Sequence, residues 1–235
     1  MDCGAHCAAT ERVFGPKTAE ADLRRYRRKG PDPSTRLLLE ELRRLPLAGV
    51  SLLDVGGGIG VLGLELIAAG VHTVVQVDAS LAYLAASQRQ FAERGWSNRL
   101  RAVSGDFAAL SEPLASAELV TLDRVVCCYP EYERLLGRAS CLARDVLALS
   151  YPRDRWYVRV VILLENLWHR ITRSAFRAFV HSPARMALVL ERAGLQRVAR
   201  RATAIWAVEV YRRGRATQPM NTMPETVEST IPRGL

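Results

Sequence analysis

Leu52-Leu53-Asp54-Val55-Gly56-Gly57-Gly58-Ile59-Gly60 decides how this chain reads. An apolar strand runs into an acid and a glycine-rich turn, and a helix-like segment follows. A second apolar run, Val74-Val75-Gln76-Val77, ends at Asp78, 18 residues past Gly60. Strand, glycine turn, helix, strand and acid form the layout of a nucleotide-type cofactor site at the carboxyl edge of a parallel sheet.

Outward from that stretch, strands are predicted near 51–55, 73–77, 100–103, 118–123 and 146–150, and helices near 60–69, 80–94 and 131–144. The strands are apolar without alternation, as strands covered on both faces should be. Strands alternating with helices imply βαβ units and a parallel sheet with right-handed crossovers. Upstream, 18–29 reads as a helix broken by Gly30-Pro31-Asp32-Pro33, and Ser34 as the N-cap of a helix over 35–45. Downstream, Trp156 to Val180 reads as one or two amphipathic helices. Ser182-Pro183 opens another helix ended by Gly194, and strands 196–202 and 204–212 close the fold as a hairpin. The expected organisation is an N-terminal helical cap (1–49), a doubly wound, Rossmann-like α/β domain (50–213) with a helical insertion near 155–180, and a disordered tail (214–235).

A chain of 235 residues, 49% hydrophobic and 24% charged, suits one globular domain with trimmings. No run of 18 apolar residues exists, so no membrane span is expected. The N-terminus has no basic start followed by an apolar run, so the protein is read as cytoplasmic. Cys3, Cys7, Cys127, Cys128 and Cys141 are then thiols rather than a disulfide frame. Cys3, His6 and Cys7 lack the further ligands of a zinc site, and no metal is expected. No lysine follows Lys29, which excludes a GxxxxGK[ST] phosphate loop and a Schiff-base lysine from the sheet. The net charge of +9 is unevenly placed: 150–215 holds 14 Arg against 4 acids, and 47–149 holds 8 Arg against 11 acids. That surplus suits an anionic substrate, an anionic membrane surface or RNA, and the plainer reading is a solvated arginine surface.

The glycines Gly56, Gly58 and Gly60 allow a sharp turn and close approach of a ligand. Asp54 is placed to accept from loop amides or from a cationic ligand end. Asp78, with Ala79 beside it, is placed for two ribose hydroxyls. Asp106 suits an exocyclic adenine amine with Phe107 near the ring, and Asp123 closes the fourth strand at the same edge. Any one Asp suits a turn or cap. Four at matching strand ends beside a glycine loop point to one ligand. Two cofactors compete for it. Gly58-x-Gly60-x-x-Gly63, with Asp78 20 residues after Gly58, satisfies a dinucleotide pattern and an NAD(P)-dependent oxidoreductase. Asp54-x-Gly56-x-Gly58-x-Gly60 is the longer pattern, whose carboxylate sits badly with a pyrophosphate and suits a sulfonium and an ammonium.

These residues, with Gly105-Asp106-Phe107 and the closing hairpin, resemble the class I S-adenosyl-L-methionine-dependent methyltransferases over roughly residues 35–213. The resemblance implies a seven-stranded sheet whose last strand is antiparallel. It implies Asp54 near the methionine end, Asp78 on the ribose and Asp106-Phe107 at adenine. The reaction it implies is in-line methyl transfer to a small-molecule oxygen or nitrogen acceptor, driven mostly by positioning and desolvation. The acceptor is expected after the fourth strand, at Asp123-Arg124-Val125-Val126-Cys127-Cys128-Tyr129-Pro130. That stretch lacks the Asn/Asp-Pro-Pro-Tyr/Phe of amino-methylating nucleic-acid enzymes and the Pro-Cys of cytosine C5 enzymes. An RNA-directed methyltransferase or binding module stands as an alternative. Tyr129-Pro130 is loosely similar to the magnesium-protoporphyrin O-methyltransferases, although Cys128 stands where those enzymes tend to carry His. Tyr129 and Cys128 are the candidate catalytic residues. Tyr26, Arg27 and their neighbours Arg24, Arg25 and Arg28 are candidates to hold an anionic acceptor, and His169 and His181 are candidate bases. The plainer readings are a packed tyrosine, small buried thiols and surface histidines. The N-terminal helix and 155–180 are expected to form a lid over the cofactor edge.

Overall fold

The computed structural model describes residues 13–214; Cys3, His6, Cys7 and the tail expected after Gly214 lie outside the described residues. In chain order the elements are α1 (Pro16–Lys29), α2 (Pro33–Leu42), β1 (Ser51–Val55), α3 (Val61–Ala68), β2 (Thr73–Asp78), α4 (Leu81–Glu93), β3 (Leu100–Ser104), β4 (Ala117–Asp123), α5 (Tyr132–Leu142), β5 (Ala143–Pro152), α6 (Trp156–Ile171), α7 (Pro183–Arg192), β6 (Leu195–Ala202) and β7 (Trp206–Arg213). They build one sheet of seven strands in the order β3-β2-β1-β4-β5-β7-β6. β7 runs antiparallel to both neighbours, and the other pairs are parallel. The fold is therefore the Rossmann-like α/β arrangement with a closing antiparallel hairpin that the sequence implies.

Period-2 geometry sends alternate strand residues to opposite faces. In β1, Leu53 and Val55 enter a core with Val120, Leu122, Leu147 and Leu149, closed by Leu135 and Leu136 of α5 and Leu190 of α7. Leu52 enters the other core, with Val74, Leu119 and Val146, closed by Leu38, Leu39 and Leu42 of α2 and Phe91 of α4. Each such side chain contributes roughly 1.5–3 kcal/mol by leaving water. A boundary at residue 49 thus divides the chain but not the core, because α2 is a core helix.

One local reading is corrected and another narrowed. Ser34 is not an N-cap; Pro33 takes the first helical position of α2 and Asp32 precedes it. Proline is pre-organised for that position, and the Asp32 carboxylate is drawn to Arg25 and Arg124 instead of capping amides. The segment 155–180 holds one helix, α6, which ends before Arg173, a non-glycine residue at φ +54°. The chain then returns extended, and the Asn166 amide both accepts from and donates to the Ala178 backbone, at 2.8 Å each.

Part of the arginine surplus is structural. Arg197 and Arg200 pair with the buried Glu209 at 3.1 and 3.2 Å, and Arg201 with the buried Glu41 at 2.8 Å. Arg213 donates to the carbonyls of Ser140, Ala143 and Ala193. No described helix is long and apolar enough to cross a membrane.

Candidate functional site

The strand order reverses its growth between β1 and β4, and a crevice opens there beyond the carboxyl ends of the strands. A cavity of about 420 Å³ fills it. Gly56, Gly57 and Gly58 form its floor, with Asp78 and Ala79 beside them. Asp123, Arg124, Cys127, Cys128 and Tyr129 line one wall. Arg25, Tyr26 and Thr35 come from the N-terminal helices, and Phe14, Ile162, Glu165 and Phe176 close the top.

The glycine turn is clamped from below. Gly58 N–H donates to Asp78 Oδ2 at 2.9 Å, and Gln76 Nε2 donates to the Gly58 carbonyl at 2.7 Å. Ser87 donates to Gln76 Oε1 at 2.6 Å, and Gln90 Nε2 donates to the Ile59 carbonyl at 2.6 Å. Gln76, Ser87 and Gln90 are fully buried polar groups whose partners are each other and the turn. Sequence reasoning missed this clamp. Its one visible signal was a lone glutamine inside the apolar run Val74-Val75-Gln76-Val77.

Asp78 also accepts from Ser80 N–H at 2.8 Å. Burial pushes its carboxyl up to about 6, against the two amides that pull it down. Each of its oxygens thus takes one backbone donor and keeps a further lone pair toward the cavity wall. Asp54 sits beneath the turn, fully buried, and does not line the cavity. Thr121 donates to its Oδ1 at 2.7 Å, and its Oδ2 has no hydrogen-bond partner among the described residues. Burial, then the nearby Asp123 and Asp78 charges, push it up to about 7 against the Thr121 bond. Gly60, a left-handed residue at φ +83°, also lies off the cavity. A Cβ there would run into Ser87, so this glycine serves the contact between α3 and α4.

On the expected adenine side, Gly105 and Phe107 line the cavity and Asp106 does not. Asp106 Oδ1 accepts from the Tyr129 hydroxyl at 2.8 Å and from Ala108 N–H at 3.0 Å. The Phe107 ring is buried in the core with the Arg138 guanidinium 5.3 Å from its centre. Asp123 accepts from Thr35 at 2.5 Å and from Ser150, which ties α2 to the end of β4. Asp32 bridges Arg25 and Arg124, the latter at 2.6 Å. Arg124, within the stretch expected to hold the acceptor, has φ +61°, and the roles of Thr35 and Asp32 were not foreseen from the sequence.

The candidate catalytic residues, Tyr129 and Cys128, both line the cavity. Burial and the Asp106 charge raise the Tyr129 hydroxyl above its ordinary range. The Cys127 thiol is raised by its contact with Cys128 and by burial, and the two sulfurs stand 4.0 Å apart. His181 donates from Nε2 to the carbonyls of Val126 and Tyr129, and burial lowers its affinity for a second proton. No histidine lines the cavity, among the described residues. Tyr26 donates to Glu65 at 2.8 Å, and Arg27 pairs with Glu93 at 2.5 Å outside the cavity. Arg25 faces the cavity, whereas Arg24 and Arg28 do not. Glu165, on the inner side of α6, is a lining carboxylate with an exposed side chain.

Comparison with known proteins gives these features a setting. Residues 52–145 match the family described as "Methyltransferase domain". The ribosomal protein L11 methyltransferase of Prochlorococcus marinus (strain MIT 9303) is 39% identical over 152 residues, 60% of this chain and 48% of that protein. The chain thus spans about half the length of that curated relative. Magnesium protoporphyrin IX methyltransferase from Synechocystis PCC 6803, with S-adenosylhomocysteine bound, superposes with a TM-score of 0.60 at 19% identity, covering 87% of this chain and 85% of that one. The 1,6-didemethyltoxoflavin-N1-methyltransferase of Burkholderia thailandensis superposes at 0.63 with 17% identity, covering 88% of each chain. Both of these neighbours hold S-adenosylhomocysteine in their structures. The residues present fit that group: bare glycine backbone on the cavity floor, a carboxylate with spare lone pairs beside it, and the volume of a small-molecule pocket.

Proposed function

We propose that this chain, which belongs by fold and central domain to the class I S-adenosylmethionine-dependent methyltransferases, methylates an oxygen or nitrogen of a small molecule seated beneath α6. One observation carries the reading: a single cavity runs from the glycine turn and Asp78 to Cys128, Ile162, Glu165 and Phe176 under the α6 cover. Bound S-adenosylmethionine supplies an electrophilic methyl group on a sulfonium. The chain's own residues supply the rest. Gly56 and Gly58 let the cofactor lie against backbone, and Asp78 offers acceptors to its hydroxyls. Phe14, Ile162 and Phe176 keep water from the reacting atoms. Arg25 and Arg124 favour an acceptor that carries an anionic group. Glu165 is the carboxylate placed to take a proton from a hydroxyl or ammonium acceptor. Tyr129 and Cys127 keep their protons near neutral pH and act as walls.

The match to a ribosomal-protein methyltransferase favours a second reading, in which the acceptor is a protein. Titration calorimetry with S-adenosylhomocysteine should give micromolar-range binding that Asp78→Ala weakens about tenfold or more, the scale of one lost charge-assisted bond pair. Absence of binding to wild type, or preference for a nicotinamide cofactor, sinks both readings. Tritium from methyl-labelled S-adenosylmethionine, followed into the small-molecule or protein fraction of a cell extract, separates the two.

A further inference from the structure

α6 is built the wrong way round for a covering helix. At 3.6 residues per turn its apolar residues Trp156, Val160, Val161, Leu163, Leu164, Leu167, Trp168 and Ile171 share one arc of about 160°. That arc faces outward: Trp156 is 77% exposed, Leu163 66%, Trp168 65% and Ile171 66%. Its only buried residue is Val158. The inner side carries Ile162, Glu165, Asn166 and His169. Leaving such a face in water is costly at roughly 25 cal/mol per Å², and contiguous patches of this kind mark a binding surface.

Charge decides what covers it. Arg159 and Arg170 lie along one border of the arc, with Arg155 before the helix and Arg173 just after it, all exposed. Asp154 pairs with Arg159 at 2.7 Å, whereas Arg170 and Arg173 have no acidic partner within ion-pair distance among the described residues. A second copy packing on this face would bring arginine against arginine, because the helix's one carboxylate, Glu165, turns to the cavity. A surface with an apolar interior and an anionic border satisfies both parts of the face.

We propose that α6 is an interfacial helix that docks the protein on an anionic phospholipid surface, lying in the headgroup plane without spanning. Tryptophans near both ends, leucines between them and arginines on the flank are the composition such helices use. Docking seats the cover of the cavity against the bilayer, which favours a lipid-soluble acceptor; that last step rests on the methyl-transfer reading above.

The test is flotation of the full chain with vesicles of phosphatidylcholine, with and without phosphatidylglycerol. Binding should require phosphatidylglycerol and weaken with added salt. Leu163→Glu with Leu167→Glu, and separately Arg170→Glu with Arg173→Glu, should each lower partitioning about tenfold or more. None of these residues lines the cavity, and an unchanged circular dichroism spectrum and melting transition would show that the variants fold. No flotation with phosphatidylglycerol vesicles, or flotation that both variants retain, overturns the proposal. A dimer in sedimentation that Leu163→Glu with Leu167→Glu dissociates, without lipid binding, overturns it in favour of a second copy.

Discussion

Gly58→Ala and Gly60→Ala should fail in opposite ways, although both glycines belong to one motif. Each residue holds a left-handed backbone, φ +56° and +83°, so alanine costs roughly 1–2 kcal/mol at either position. Their surroundings differ. A Cβ on Gly58 stands 3.8 Å from the Tyr83 ring, an ordinary contact on the cavity wall. A Cβ on Gly60 meets Ser87 and comes 3.3 Å from Phe91, inside the packed seam of α3 and α4. Overpacking there adds roughly 1–3 kcal/mol, for a total of about 2–5 kcal/mol at Gly60. That is a large share of a typical 5–15 kcal/mol stability. Urea unfolding should therefore show the larger loss for Gly60→Ala. Calorimetry with S-adenosylhomocysteine should show the larger loss of affinity for Gly58→Ala, measured where both variants remain folded. Equal stability losses, or a Gly60→Ala protein of wild-type stability that no longer binds, would refute the assignment of one glycine to the ligand and the other to packing.

Three more outcomes follow from the same geometry. The Asp54 carboxyl keeps its proton to about pH 7 in the folded protein and to an ordinary 3.8 when unfolded, so its burial costs nothing at low pH and the full amount above 7. Relative to Asp54→Asn, wild type should lose about 2–3 kcal/mol of stability between pH 5 and 8, at about 1.4 kcal/mol per unit; parallel stability curves would contradict this. Tyr129→Phe removes one hydrogen bond to Asp106 and should cost about 0.5–1.5 kcal/mol in urea unfolding while S-adenosylhomocysteine affinity stays near wild type. Asp32→Asn weakens the link between Arg25 and Arg124, so amide exchange should quicken in α1 and the first turn of α2 and leave β1 unchanged.

The fold was legible because its signals are local and repeated. Apolar strands such as Leu119 to Leu122 and glycine punctuation at Gly56 and Gly194 each sit where period and turn chemistry place them. The cavity floor was legible for the same reason. The rest depends on contacts distant in sequence. Asp106 and Tyr129 are 23 residues apart, and nothing in either neighbourhood announces that they take each other as partners. Thr35 and Asp123 are 88 apart. Strand alternation turns Asp54 under the glycines, where Thr121 of the adjacent β4, 67 residues away in sequence, meets it. Ser34 lost the cap position to a proline that fits the first helical turn better. Helical periodicity found α6 but not its polarity, since a period reveals that an apolar arc exists and not which way it points.

The Gly58 peptide, gripped at its N–H by Asp78 and at its carbonyl by Gln76, sets a division of labour in time. The floor needs no ordering when a ligand arrives, because its entropy was already lost on folding. The cover is different: α6 and the return chain rest on a small cluster of Phe14, Cys128, Ile162, Phe176 and Ala178. Entry and departure then run at the pace of that thin cover. Substitutions in the floor will change how tightly a ligand is held at equilibrium, and substitutions in the cover will change how long it stays.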